Sequence, residues 1–236
     1  MSWRRDVEAL IEEKSLLKHP FYQAWTRGTL SREDLAEYAR QYYQQEARFS
    51  RYVSAVHANC PDLAARQALV ENLTHEEQGP ENHPELWLRF AESVGASRRS
   101  VTAAVGHAKT QACVAEFDRL SRGSEWLAGL AALYAYESQQ PRVARAKIDG
   151  LRERYGLSSP EALGFFQVHE KADAWHSESE WKILERHADT PAKRAQVLDA
   201  VGRACDALNG LLDGVCETRN ICGPDWAANI SQPAIA

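Results

Sequence analysis

The eight residues 169–176, HEKADAWH, hold two histidines and an aspartate at a spacing that could grip a metal ion. Each helical residue advances about 100°, so with His169 at zero Asp173 falls at about 40° and His176 at about −20°. All three side chains leave one narrow face, while Glu170, Lys171 and Ala172 point elsewhere. Imidazole nitrogens with carboxylate oxygens suit iron, manganese or zinc. The five cysteines are odd in number and scattered without a CxxC pair, so neither thiolate ligation nor a disulfide framework is expected.

Taken alone, HxxxDxxH also fits a hydrated helix surface, so the rest of a ligand shell has to be found elsewhere. Glu137 ends a run, Leu127–Tyr136, that carries no charged residue. A carboxylate on so apolar a helix is costly unless it is paired or binds a cation, although Ser138, Gln139 and Gln140 also allow a polar helix end. In HEEQGPENHPELW, Glu76 and His83 lie two turns apart and share a face if the helix persists through Pro80. His75 is about 100° off that face and reads as solvated. Glu76, His83, Glu137, His169, Asp173 and His176 together make three carboxylates and three histidines from three helical regions. Helical bundles build two-metal carboxylate sites in this way, and this donor set suits two iron ions, or an iron/manganese pair, better than one zinc. Glu46, with Tyr42 one turn before it, reads equally as a supporting group or as a helix-surface glutamate.

Helices must position these groups, because nearly every segment has a helical period and none shows convincing strand alternation. The spacing predicts helices from an N-cap at Ser2 to about Lys18, over HPFYQAWTR, from Ser31 to about Cys60, from Pro61 through HEEQG, and over PENHPELWLRFAESVG. Further helices are predicted over residues 99–120, 125–155 (bent near Pro141), 160–188 and 191–221. Seven to nine helices, in a bundle larger than four, form one domain over residues 1–221, followed by a tail at 222–236.

A chain of 236 residues that is 44% apolar can bury a full core. Its 28 basic and 33 acidic residues give a net charge of −5, which argues against a nucleic-acid partner. No apolar stretch reaches the ~18–20 residues of a membrane span, and the first residues lack a signal-peptide core. The expected setting is therefore cytoplasmic, with no membrane partner. A homodimer is compatible with the sequence but not specified by it.

HPFYQAW, NLTHEEQG, ENHPELW, ALYAYESQQPRVARAK and FFQVHEKADAWHS, in that order, resemble the Chlamydia protein associating with death domains (CADD) and its bacterial relatives, from about Leu17 to Cys216. The resemblance implies an all-α, heme-oxygenase-like bundle of the kind shared with TenA and PqqC. It implies a non-heme dimetal oxygenase, with the six residues above as ligands, dioxygen as co-substrate and an external reductant. It further implies synthesis of para-aminobenzoate for folate from the protein's own tyrosine, a self-sacrificing reaction, with Tyr22 supplying the ring and Lys147 the amine. By themselves, Tyr22 beside Phe21 and Trp25 reads as core packing, and Lys147 after Arg142 and Arg145 reads as solvated surface.

Two other functions stay open. A dimetal oxidase or oxygenase of the same fold could act on an external small molecule, such as an amino acid, fatty acid or cofactor precursor. A non-enzymatic helical interaction protein would need an exposed groove for a partner helix, and the sequence shows no such stripe.

Overall fold

A computed structural model describes residues 3–221, which contain eleven α-helices, one 3₁₀ turn and no strand. The predicted N-cap at Ser2 and the predicted tail at 222–236 lie outside the described residues. The helices are α1 (Trp3–Glu13), α2 (Pro20–Arg27), α3 (Arg32–Asn59), α4 (Leu63–Glu77), α5 (His83–Ser93), α6 (Arg98–Thr102), α7 (Ala108–Arg122), α8 (Trp126–Glu137), α9 (Gln140–Glu153), α10 (Pro160–His187) and α11 (Pro191–Arg219).

The number exceeds seven to nine because two predicted helices are each divided. The segment predicted over 99–120 is broken around Gly106, between α6 and α7. The one predicted over 125–155 does more than bend. Pro141 has no N–H to donate to the carbonyl of Glu137, so the chain stops at Glu137 and restarts at Gln140. The first helix also stops earlier than expected, at Glu13, and Leu16–Lys18 forms the 3₁₀ turn. Pro61 precedes the N-cap of α4, Asp62, whose side chain accepts from Ala65 N.

Local chemistry sets most of the remaining boundaries. Ser31 and Asp34 form the expected capping box of α3. Ser159–Pro160 and Thr190–Pro191 open α10 and α11 as N-cap and first-turn pairs. Asn82 caps α5 by accepting from Glu85 N, which places His83 in its first turn. Gly28, at φ 71°, ends α2 in the left-handed conformation that glycine adopts without strain.

α8 is the axis of the bundle. Its residues from Gly129 to Glu137 are all buried, and it packs against α3, α7, α10 and α11. A helix that is apolar all round belongs inside. One continuous hydrophobic cluster runs from Val7 to Ile221 around it. Cys60, Cys113 and Cys205 are buried free thiols. Cys216 is disulfide-bonded, contrary to the expectation from cysteine spacing. No helix among the described residues is long and apolar enough to cross a membrane.

Two glycines test how tightly the bundle is packed. A Cβ on Gly129 would lie 2.7 Å from Val56 Cγ2 and 3.0 Å from Ser121 Cα, whereas one on Gly210 meets nothing within 4 Å. Gly129→Ala is therefore expected to destabilise by about 1–3 kcal/mol through overpacking. Gly210→Ala should stabilise by about 0.5–1 kcal/mol through helix propensity. Urea unfolding midpoints that move in opposite directions will confirm this; parallel shifts will contradict it.

Candidate metal centre

Five helices bring ionisable side chains to one sealed region. Glu46 comes from the middle of α3, Glu76 from the last turn of α4, His83 from the first turn of α5 and Glu137 from the end of α8. α10 supplies His169, Asp173, His176 and Glu180. None of these eight residues is more than 3% exposed. The six residues singled out in the sequence therefore lie together in the core. The condition that helix persist through Pro80 is not met: α4 ends at Glu77, Gly79 takes φ 83°, and the chain turns before α5. That turn still brings His83 Nδ1 to 2.9 Å from Glu76 Oε1.

The donor atoms gather in two groups. Glu46, His83 and His169 each offer an atom within 4.8 Å of the others, and Glu137, Asp173 and His176 do the same. Glu76 stands against the first group through His83, and Glu180 adjoins Glu137 in the second. Asn72, one turn before Glu76, donates to Glu137 Oε1 at 2.9 Å.

The histidine tautomers follow from their outer partners. His169 Nδ1 lies 2.8 Å from Phe165 O and so donates to it, which leaves the Nε2 lone pair free. His176 Nε2 lies 2.8 Å from His75 Nδ1, and its own Nδ1 faces Glu137 Oε1 at 3.4 Å and Asp173 Oδ1 at 3.7 Å. His75, expected to be merely solvated, is exposed but also reaches inward to hold His176.

Whether these residues fit a metal can be judged from the buried atoms that find no hydrogen bond. Glu46 Oε1, Glu137 Oε2, both oxygens of Asp173 and of Glu180, and Nδ1 of His83 and His176 are all in this condition. His83 Nδ1 and Glu76 Oε1 are close but not aligned as donor and acceptor, as expected of two ligands crowding one cation. Orphaned buried groups on this scale are costly, and cations at the two groups would satisfy those on Glu46, His83, Glu137, Asp173 and His176. The residues fit.

The electrostatics agree. Burial, then Glu76, pushes Glu46 up to about 8, and burial, with Glu137 and Glu76, pushes Asp173 up to about 8. Burial and Glu137 hold Glu180 well above the usual carboxylate range. For His83, burial favours the neutral ring, but Glu76, Glu46 and Asp173 outweigh it and raise it to about 9. His176 rises to about 10 because Asp173 and Glu137 likewise outweigh burial. Burial and His83 hold His169 well below the usual range. Without cations, protons make up a shortage of positive charge.

Beside this region lies an aromatic box around Lys147. Its side chain is fully buried, not solvated as the neighbouring arginines suggested. The sequence misleads because Arg142 and Arg145 face outward to Glu12 and Glu170, whereas Lys147 falls in the inner stripe with Val143 and Leu151. Lys147 Nζ donates to Tyr38 Oη at 2.7 Å and lies 5.4 Å from the Tyr22 ring centroid. Burial lowers its pKa to about 7, opposed by Glu46. Tyr22 Oη and Tyr38 Oη are 3.2 Å apart. Tyr42 Oη and Tyr136 Oη are 2.7 Å apart, and Tyr136 donates to Glu46 Oε2 at 3.2 Å. Burial keeps all four phenols protonated by raising their pKa values. Tyr22 is thus a core residue, as packing suggests, and also a neighbour of the lysine amine.

Sequence reasoning misses Glu180 and leaves Glu46 open between supporting group and surface, although both carry a signal. Glu46 interrupts the inner stripe Tyr38, Tyr42, Phe49, Val53 of α3, and Glu180 extends His169, Asp173, His176 by one more turn of α10. A surface cleft of about 530 Å³, lined by Thr74, His75, Gln78, Val168 and Lys171, reaches His83.

Known proteins of similar sequence and fold fit this site. Residues 36–209 match the family described as iron-containing redox enzyme. The 4-aminobenzoate synthase of Nitrosomonas europaea is 45% identical over 230 residues, 94% of this chain and 93% of that protein. The 4-aminobenzoate synthase of Chlamydia trachomatis is 38% identical over 222 residues, 94% of this chain and 95% of that one. A Shewanella denitrificans domain described as having a heme oxygenase-like fold superimposes with a TM-score of 0.78 at 20% identity, covering 92% of each chain, which bears on fold alone. The chain is an enzyme of heme-oxygenase-like fold and belongs to the iron-containing redox enzymes, in the group whose members are named 4-aminobenzoate synthases.

Proposed function

We propose that this enzyme makes 4-aminobenzoate from its own Tyr22 and Lys147, using two metal ions held by Glu76, His83, Glu137, His169, Asp173 and His176. The ions are two irons or an iron/manganese pair. When bound, they supply the oxidising power of dioxygen, with electrons from an external reductant. The protein's own groups supply the rest. His75 and the Phe165 carbonyl fix the ring orientations of His176 and His169. Trp87 and Phe166 lie over Lys147, and the Tyr22 ring is itself buried from water.

One observation carries the reading: a buried lysine amine lies among phenol rings, 5.4 Å from the centre of Tyr22, 5.2 Å from Tyr38 and 5.0 Å from Tyr42, and the resemblance selects Tyr22 among them. With its pKa lowered to about 7 by burial, a large share of the amine is neutral near pH 7 and keeps the lone pair a nitrogen donor needs. Tyr38 touches both Tyr22 and Lys147 and aligns donor with ring. The cleft that reaches His83 favours a second reading, an oxidase of the same fold acting on an external small molecule.

Metal analysis tests the ligands. His169→Ala and Glu137→Ala should each lose most of about two bound metal ions per chain while keeping their helical circular dichroism. Full retention in both variants, by elemental analysis, will exclude the ligand set.

Product analysis tests the source of the ring. Iron-loaded protein given reductant and dioxygen, with no added substrate, should release at most about one equivalent of 4-aminobenzoate. The peptide carrying Tyr22 should lose mass, and Tyr22→Phe should keep its metals but give no product. Many turnovers from an added compound, or undiminished product from Tyr22→Phe, will favour the external-substrate oxidase.

Lys147 also makes a pH prediction. Its ordinary pKa of 10.5 applies in the unfolded chain and about 7 in the folded one. Between these values the unfolded state holds the extra proton, so this group's contribution to stability rises with pH from 7 to 10.5. Below 7 the full cost of burying it is present. Lys147→Met should therefore stabilise the metal-free protein more at pH 7 than at pH 9.5, by at most about 3 kcal/mol. Equal gains at the two pH values, by urea unfolding, will show that Lys147 is not the depressed group.

A further inference from the structure

We infer that Glu46 is itself a metal ligand, completing with His83 and His169 the shell of one of the two ions; this rests on the dimetal reading above. Glu46 is 2% exposed and sits where an apolar residue would continue the inner stripe of α3. No ion pair involving it occurs among the described residues. Its two oxygens have different surroundings. Oε2 accepts from Tyr136 Oη at 3.2 Å, while Oε1 is buried without a partner. A ligand atom of Glu46 lies within 4.8 Å of ligand atoms on both His83 and His169, the separation that donors around one cation require.

Charge counting points the same way. Two divalent ions bring four positive charges, whereas Glu76, Glu137 and Asp173 bring three negative ones. Glu46 supplies the fourth, so these four carboxylates balance the two ions, and uncompensated charge in such a region is strongly disfavoured. Glu180 adjoins Glu137, on the side of the other ion, and is no alternative to Glu46 at the ion held by His83 and His169. The hydrogen bond from Tyr136 fixes the Glu46 carboxylate as outer partners commonly fix ligating ones. Through Tyr42 it also ties the ligand to the aromatic wall around Lys147.

The test loads the full chain with Mn²⁺ or Fe²⁺ without oxygen and compares wild type with Glu46→Gln. Wild type should hold two ions against a chelator. Glu46→Gln should keep the ion at Glu137, Asp173 and His176 but bind the other at least about tenfold more weakly, with unchanged circular dichroism. A crystal of Mn²⁺-loaded wild type should show, by anomalous scattering, a Glu46 oxygen bonded to the ion at His83 and His169, a result independent of how the variant folds. Two ions held with unaltered affinity in Glu46→Gln, or an ion at His83 and His169 out of bonding contact with Glu46, will overturn the inference while leaving the dimetal reading intact. Wild type that binds no metal will overturn both.

Discussion

Carboxylates sealed inside a helical bundle set the terms for everything around them. Glu46, Glu76, Glu137, Asp173 and Glu180 are packed where water cannot reach, and removing an ionised carboxylate from water is among the costliest events in folding. Such a cluster persists only if positive charge is brought to it. His83 and His176 supply part of that charge through protons held above their ordinary range, and Glu46 and Asp173 shed some of their own charge by taking protons up. The same deficit of positive charge makes the region a receptacle for cations. The apolar helix α8, the broken junction after Glu137 and the cap at Asn82 all deliver side chains to this one place.

Next to the charged region, the fold builds a compartment of opposite character. Lys147 is surrounded by the rings of Tyr22, Tyr38, Tyr42, Trp87 and Phe166, and among the described residues its nitrogen makes no ion pair with a carboxylate. Burial therefore acts on the amine almost unopposed, and its proton is held weakly. A few ångströms away, burial beside like charge makes carboxylates hold theirs more strongly. Opposite shifts in adjoining compartments commonly mark sites of chemistry. Tyr136 joins the two, with its hydroxyl on Glu46 and against Tyr42.

How much of this was legible in the sequence depended on whether a residue's neighbours lie on its own helix. His169, Asp173 and His176 share a helix face, so their spacing displays the site directly. Glu137 could be found because an uncharged stretch precedes it. His83 and Glu76 were paired for a reason that fails, helical continuity through Pro80, yet they meet because a turn folds them together. The capping pairs at Ser31, Ser159 and Thr190 fixed helix starts correctly. The break at residues 103–107 escaped notice, and the one at 138–139 was foreseen only as a bend near Pro141. Lys147 was misread by its nearest neighbours in sequence, since Arg142 and Arg145 lie on the outer face while its own environment comes from α2, α3, α5 and α10. His75 likewise finds its partner on α10, a hundred residues away along the chain.

That the donors come from points between residue 46 and residue 176 has a topological consequence. A cation bound by two such side chains closes a loop of chain, as a crosslink does, and two cations would close several loops at once through α3, α4, α5, α8 and α10. Loop-closure entropy grows only slowly with length, by about 0.6 kcal/mol for each doubling. Long loops therefore add little to the cost of assembling the site, and the chain can draw its ligands from distant segments. In the reverse direction, no single helix can peel away from the loaded bundle without breaking a coordination bond. Emptying such a centre would free five helices together, so the resistance of α10 and α4 to amide hydrogen exchange would become a property of the filled site as much as of their own packing.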